Sequence, residues 1–133
     1  MAKGRELHDQ RMGALNALGK DLARRAKSKC ELTGASGVPL RAYEVPPVSS
    51  EPDIGRTILV SDDALAAIKR PQSMKAHDWR CLAEIIWCDI PAVQVTAWRL
   101  LNHLATRESW ARDALDGVFL DPETEEWARD TRE

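Results

Sequence analysis

Residues 30–64 leave room for two short strands and nothing larger. Residues 40–45 alternate, with Tyr43 and Val45 on one face and Leu40 and Ala42 on the other. Pro46 and Pro47 end that strand, because proline brings no ladder donor. A loop over 48–55 follows, and Thr57, Ile58, Leu59 and Val60 form a second strand apolar enough to be buried. A lone two-stranded hairpin is marginal in water, so a helix or a metal must cover it. The expected fold class is therefore mainly α with a small β-hairpin packed on a helical bundle. Turn chemistry brackets the hairpin. Gly34 and Gly37 precede it. Ser61 follows as a natural N-cap with Asp62 and Asp63 in the first helical turn.

The rest of the chain supplies the helices. Residues 4–28 read as an amphipathic helix with Leu7, Ala14, Leu18 and Leu22 recurring near helical spacing and Leu15 and Ala26 widening the stripe. Ala64, Leu65 and Ile68 form the inner face of a short helix that must end by Arg70, before Pro71. Asp78 is positioned to cap a helix over 79–88 that buries Trp79, Leu82, Ala83 and Ile86. Pro91 opens the next helix, 91–105, where a missing donor is harmless. Its Val93, Ala97, Leu100, Leu101 and Leu104 share one face. A helix over 109–116 is stopped by Gly117, a residue that tolerates a left-handed conformation. Val118, Phe119 and Leu120 read as a buried connector. Asp121, Pro122 and Glu123 then start a last helix that carries Trp127 and frays before Glu133. The organisation is a basic amphipathic helix over 1–29, a hairpin module over 30–70 and a Trp-rich helical region over 71–133, forming one compact unit.

Charge and cysteine content narrow the function classes. Residues 1–29 hold eight Lys/Arg against three Asp/Glu, and the remainder holds eleven against eighteen. A basic arm of that kind meets nucleic acid, or it lies against the chain's own acidic remainder or a second subunit. Crowding of Lys20, Arg24, Arg25, Lys27 and Lys29 near a helix C-terminus also has a local cause, since cations favour that end of the dipole. Cys30, Cys81 and Cys88 cannot all pair within one chain, which fits reduced thiols in the cytoplasm. No secretory leader pattern opens the chain, and no apolar run reaches a membrane span.

Four groups of residues are candidates for chemistry. Cys30 and Thr33, then Ser61 and Ala64, stand at the spacing of two C-x-x-C pairs, yet only Cys30 is a thiol. Zinc needs four soft or borderline ligands, so no zinc or other cofactor is expected there. Cys81, Cys88, His77 and His103 form an alternative metal set whose spacings match no known ligand pair. Cys30, near a helix end and several cations, is a candidate for a lowered pKa, which matters only if the thiol is exposed. Asp62, Asp63, His77, Asp78, Arg80, Glu84 and Asp89 are the polar groups available for acid–base work, with His77, Arg80 and Asp78 the candidate trio. Asp62, Asp63 and Asp78 are equally explained as helix-start acids. No nucleophile elbow, phosphate loop or H-E-x-x-H helix is present. Large aromatics at helical positions are usually core with one polar edge at the surface. Trp87 falls off its helix's buried stripe, so it, with Gln94 and Trp98, marks the expected interaction surface.

Three segments carry a family resemblance over about residues 20–130. The first runs Ser28-Lys29-Cys30-Glu31-Leu32-Thr33-Gly34-Ala35 and on to Tyr43-Glu44-Val45-Pro46-Pro47. The second is Ile58-Leu59-Val60-Ser61 leading into Ala64-Leu65. The third is His77-Asp78-Trp79-Arg80-Cys81-Leu82, Trp87, then Pro91-Ala92-Val93-Gln94-Val95-Thr96-Ala97-Trp98-Arg99-Leu100-Leu101, ending near Trp110, Leu115, Phe119-Leu120-Asp121 and Trp127. Together they resemble the PhnA-like proteins, a family associated with alkylphosphonate utilisation. The resemblance implies an N-terminal zinc ribbon with a C-x-x-C at each knuckle. Its ligand positions fall on Cys30, Thr33, Ser61 and Ala64, so the ribbon is degenerate and the family's metal is not inherited. The small C-terminal β-barrel of many members is not expected here. The resemblance carries over no catalytic residues. The expected function is a non-catalytic cytoplasmic binding or accessory protein, acting as a homodimer or with another protein partner. The alternatives are a hydrolase acting on a small phosphonate or related anion, and a nucleic-acid binder using the basic helix.

Overall fold

Strands β1 (Leu40–Glu44) and β2 (Thr57–Ser61) pair antiparallel, with Leu40 opposite Ser61 and Glu44 opposite Thr57. The computed structural model describes residues 2–130, with side chains described from Asp9 onward. All five residues of β2 are buried, whereas β1 is mostly half-buried. The hairpin therefore has a covered strand and an edge strand. The chain is mainly α: around the hairpin stand helices α1 (Ala2–Ala26), α2 (Asp62–Lys69), α3 (Leu82–Ile85), α4 (Pro91–Leu104), α5 (Ser109–Gly117) and α6 (Pro122–Arg129).

Helix α4 is the centre of the packing. Val93, Ala97, Leu100, Leu101 and Leu104 are all buried, as the spacing predicts, and Ala92, Val95 and Thr96 join them. Helices α3, α5 and α6 and strand β2 all pack on α4. One continuous buried cluster runs from Cys30 and Leu32 through Ile58, Val60 and Leu82 to Ala111 and Ala128. The hairpin is thus covered by helix rather than left to itself.

Helix α1 docks by a narrow stripe. Leu22 is fully buried, and Arg11, Leu15, Leu18 and Arg25 are half-buried at the same helical spacing. Ala14, expected on that stripe, is exposed; the side chain of Leu7 and residue Glu133 lie outside the described residues. The helix ends at Ala26 rather than 28. Lys27 and Ser28 take left-handed conformations at φ 56° and 59°, and the Ser28 amide donates to the Ala23 carbonyl at 2.8 Å. Such a cap satisfies an orphan carbonyl while turning the chain.

Other expectations need correction. The helix expected over 79–88 is broken into a 3-10 turn (Ala76–Trp79) and the four-residue α3, and Asp78 sits inside the turn instead of capping a helix. The Asp78 amide donates to Lys75 O, and between Arg80 and Cys88 bonds to the third and to the fourth preceding carbonyl alternate. Tight turns of this kind let Trp79, Leu82 and Ile86 all reach the core. Gly117 ends α5 without a left-handed conformation, because Val118 leaves in extended backbone at φ −92° and ψ 140°. Phe119 is no buried connector: its ring is 90% exposed, while Val118 and Leu120 on either side pack against the core. Alternation along an extended segment puts neighbours on opposite sides. At α6, Asp121 makes no side-chain cap, and Pro122 with the first-turn acids Glu123 and Glu125 marks the start.

Candidate functional site

The two knuckles meet. Residues 30–35 form a tight turn in which Cys30 N–H donates to Ala35 O (2.9 Å) and Gly34 N–H donates to Cys30 O (2.8 Å). Gly34, at φ 78°, supplies the left-handed step that closes it. Glu31 N–H donates to Leu59 O at 2.8 Å, which fastens this turn along β2. The end of β2 then lies beside Cys30. The Thr33 hydroxyl and the amides of Ser61, Thr33 and Leu32 act on the sulfur and favour its thiolate form. Ser61 Oγ in turn accepts the Ala64 amide at 3.2 Å as the N-cap of α2. Thr33, Cys30, Ser61 and Ala64 therefore form one group.

That group does not fit zinc. It offers one thiol and two hydroxyls, one of which is engaged as a helix cap, and Ala64 contributes no donor. Tetrahedral zinc takes four nitrogen, sulfur or carboxylate ligands. Amides aimed at a sulfur are what a metal-binding knuckle uses to hold a thiolate. Here they act on a single buried cysteine. Burial raises the Cys30 thiol, but the hydrogen bonds from Thr33, Ser61 and Leu32 outweigh it and leave the pKa below its ordinary value. Cys30 is only 2% exposed, so this thiol is set up for packing rather than for meeting a substrate.

Cys81 and Cys88 stand nearby with the opposite tendency. Burial raises both; the Cys30 and Glu84 charges push Cys81 further, and the Asp89 and Glu31 charges do the same to Cys88. Both line a cleft of about 430 Å³ with Leu32, Thr33 and Gly34 of the first knuckle. Trp87 stands on the rim of this cleft with 61% of its surface exposed. Neither His77 nor His103 lines it. Among the described residues, no three histidine, cysteine or carboxylate side chains gather where one ion would reach them.

The other expected site residues are dispersed. His77, Asp78 and Arg80 are exposed. Asp78 lines a cleft of about 660 Å³ on the other side of Thr33, with Asp62, Asp63 and Lys75, whereas Arg80 lies over the Trp110 ring, 5.3 Å from its centroid. Gln94 is half-buried and donates to the Ile86 carbonyl at 2.9 Å. Trp98 is half-buried under Arg129, 5.4 Å from the ring centroid. Of the three residues expected at an interaction surface, Trp87 is the one left largely uncovered.

The basic helix is partly consumed by the chain itself. Arg11 pairs with Glu44 and donates to Ser49 O and Ser50 O. Arg25 pairs with Glu31 and donates to Ile54 O and Thr57 O. Arg24 lies 3.7 Å from Asp21, and Lys20, Lys27 and Lys29 are exposed.

Long-range arginine latches were not legible in the sequence. Arg99 donates Nε to Ala128 O (3.2 Å) and Nη2 to Trp127 O (2.7 Å) and Asp130 O (2.8 Å), tying off the last carbonyls of α6. No protein-family model, curated protein or solved structure matches the chain.

Proposed function

We propose that this is a PhnA-like, non-catalytic cytoplasmic binding or accessory protein whose zinc ribbon has been recast as a packed, capped turn, and that its working surface is centred on Trp87. The observation that carries the reading is the exposure of that indole on the rim of a cleft built by the first knuckle and α3. A tryptophan offers a large contact area at low conformational cost, and partially exposed indoles are favoured as interaction anchors. The dispersal of His77, Asp78 and Arg80 weighs toward binding over hydrolysis. The convergence of Cys30, Thr33, Ser61 and Ala64 supports the ribbon lineage.

The partner in this reading is a second copy of the chain. Sedimentation velocity across a concentration series, comparing wild type with Trp87→Ala, is the test. The expected result is reversible self-association in the wild type and a monomer in the variant. A wild type that stays monomeric at the highest concentration, or a variant that associates as strongly, would remove the Trp87 surface from the argument. Elemental analysis of purified protein bears separately on the zinc reading, and one zinc per chain would overturn it.

A further inference from the structure

A third cleft, of about 460 Å³, lies where β1, α2, α4 and the end of α6 meet. It shares no lining residue with the cleft beneath Trp87. Its volume falls in the range of about 300–1,000 Å³ typical of small-molecule sites, which are concave and mostly apolar with a few placed polar groups.

The lining has that character. Tyr43 and Trp98 contribute two half-buried aromatic side chains, and Asn102 lies exposed at the edge. The charged lining residues are Arg99, Arg129 and Asp130, which leave one net positive charge. Arg99 is held rigidly by its bonds to the α6 carbonyls, so its guanidinium is preorganised. Arg129 is exposed, and its pairing with Glu125 at 3.1 Å is a surface contact worth little. Its guanidinium already lies over the Trp98 ring.

We infer that this cleft binds a small aromatic carboxylate, with the ring against the wall that Tyr43 and Trp98 supply and the carboxylate toward Arg99 and Arg129. Arg129 offers the planar fork that pairs with a carboxylate, and Arg99, whose Nε and Nη2 are spent on backbone carbonyls, adds its Nη1 and its charge. The single excess positive charge selects a monoanion over a neutral or cationic ring. Trp98 thereby serves a ligand, in contrast to Trp87, which serves a protein surface.

Benzoate, benzamide and the full-length protein test the assignment. Titration of labelled protein, followed through the indole N–H signal of Trp98, should show saturable movement with benzoate at a Kd of about 1 mM or tighter. Benzamide, which has the same ring without the charge, should bind at least about tenfold more weakly. Arg129→Gln should weaken benzoate by about tenfold while leaving the rest of the spectrum in place, because the side chain is exposed. Trp87→Ala should bind benzoate as the wild type does, which separates this site from the Trp87 surface. An unmoved Trp98 signal, equal response to benzoate and benzamide, an unaffected Arg129→Gln, or loss of binding in Trp87→Ala would each overturn the inference.

Discussion

Arg25 and Glu31 form a two-pronged ion pair, Nε to Oε2 at 3.0 Å and Nη2 to Oε1 at 2.7 Å, with the carboxylate side chain only 3% exposed. Glu31 Oε1 also accepts the Leu59 amide at 2.9 Å, and Arg25 reaches the carbonyls of Ile54 and Thr57. One pair thus joins α1, the first knuckle and both ends of the turn into β2. Removing one member of such a buried pair leaves the other charge without compensation. Glu31→Ala should lower the unfolding free energy by about 3–5 kcal/mol in urea denaturation. The Arg25→Ala, Glu31→Ala double variant should lose less than the sum of the single losses. A loss below about 1 kcal/mol, the range of exposed pairs, would place Glu31 in water.

The group formed by Thr33, Cys30, Ser61 and Ala64 makes a gain-of-function prediction. Thr33→Cys, Ser61→Cys and Ala64→Cys together create two C-x-x-C pairs. The triple variant should bind one zinc per chain and show a cobalt–thiolate absorption band. Loss of the Ser61 cap costs about 1 kcal/mol, small beside the roughly 10–16 kcal/mol apparent worth of structural zinc in small domains. The absence of a cobalt–thiolate band would mean that the four positions meet without ligand geometry.

Thiol titration gives opposite pH signatures for two cysteines. Cys30 has a folded pKa below the ordinary 9.0, so the native state releases its proton first and the stability it contributes is lost as pH falls through the folded value. Cys88 has a folded pKa above 9.0, so the stability it contributes is present below that value and is lost as pH rises toward the folded one. Urea unfolding of Cys30→Ser should therefore show a penalty that grows as pH approaches 9.0 from below. The penalty of Cys88→Ser should shrink above 9.0. Identical pH dependence in the two variants would contradict the assigned hydrogen bonding at Cys30.

Two tryptophans should respond to truncation in opposite ways. Trp87→Ala removes an exposed side chain and should change stability by no more than about 0.5 kcal/mol, while abolishing self-association. Trp127 donates Nε1–H to Pro46 O at 3.0 Å and lies under Arg56, whose guanidinium carbon is 4.5 Å from the ring centroid. Trp127→Ala should cost about 3 kcal/mol, read from thermal or urea unfolding. Equal losses at the two positions would make Trp87 a structural residue.

The legible parts of the fold were those decided within a few residues. The α4 stripe, the Ser61 cap, the stop before Pro71 and the Pro46-Pro47 strand end all follow from helical period, side-chain capping and missing donors. The helix expected over 79–88 is shorter and broken, because the helical spacing of Trp79, Leu82 and Ile86 shows which residues face the core but not where the hydrogen-bond ladder changes. Phe119 was misplaced for a related reason. A three-residue apolar run carries no phase, and only the docked neighbours show that Val118 and Leu120 face inward.

The candidate site was legible in its composition and hidden in its arrangement. Cys30, Thr33, Ser61 and Ala64 could be named from their spacing. That Thr33 and Ser61 both come to act on Cys30 depends on Glu31 fastening the turn to β2. The exposure of Trp87 was suggested by its offset from the Leu82 and Ile86 stripe, but the covering of Gln94 and Trp98 depends on Ile86 O and on Arg129 at the end of α6. By itself the sequence determined most element types, the hairpin's need for a cover and the lack of a thiol at Thr33, Ser61 and Ala64, because periodicity, proline, glycine and ligand chemistry act locally. Tertiary structure decided which cations are spent on the chain's own carbonyls, which thiol is held low and which indole stays exposed, because each depends on groups distant along the chain that only packing brings together.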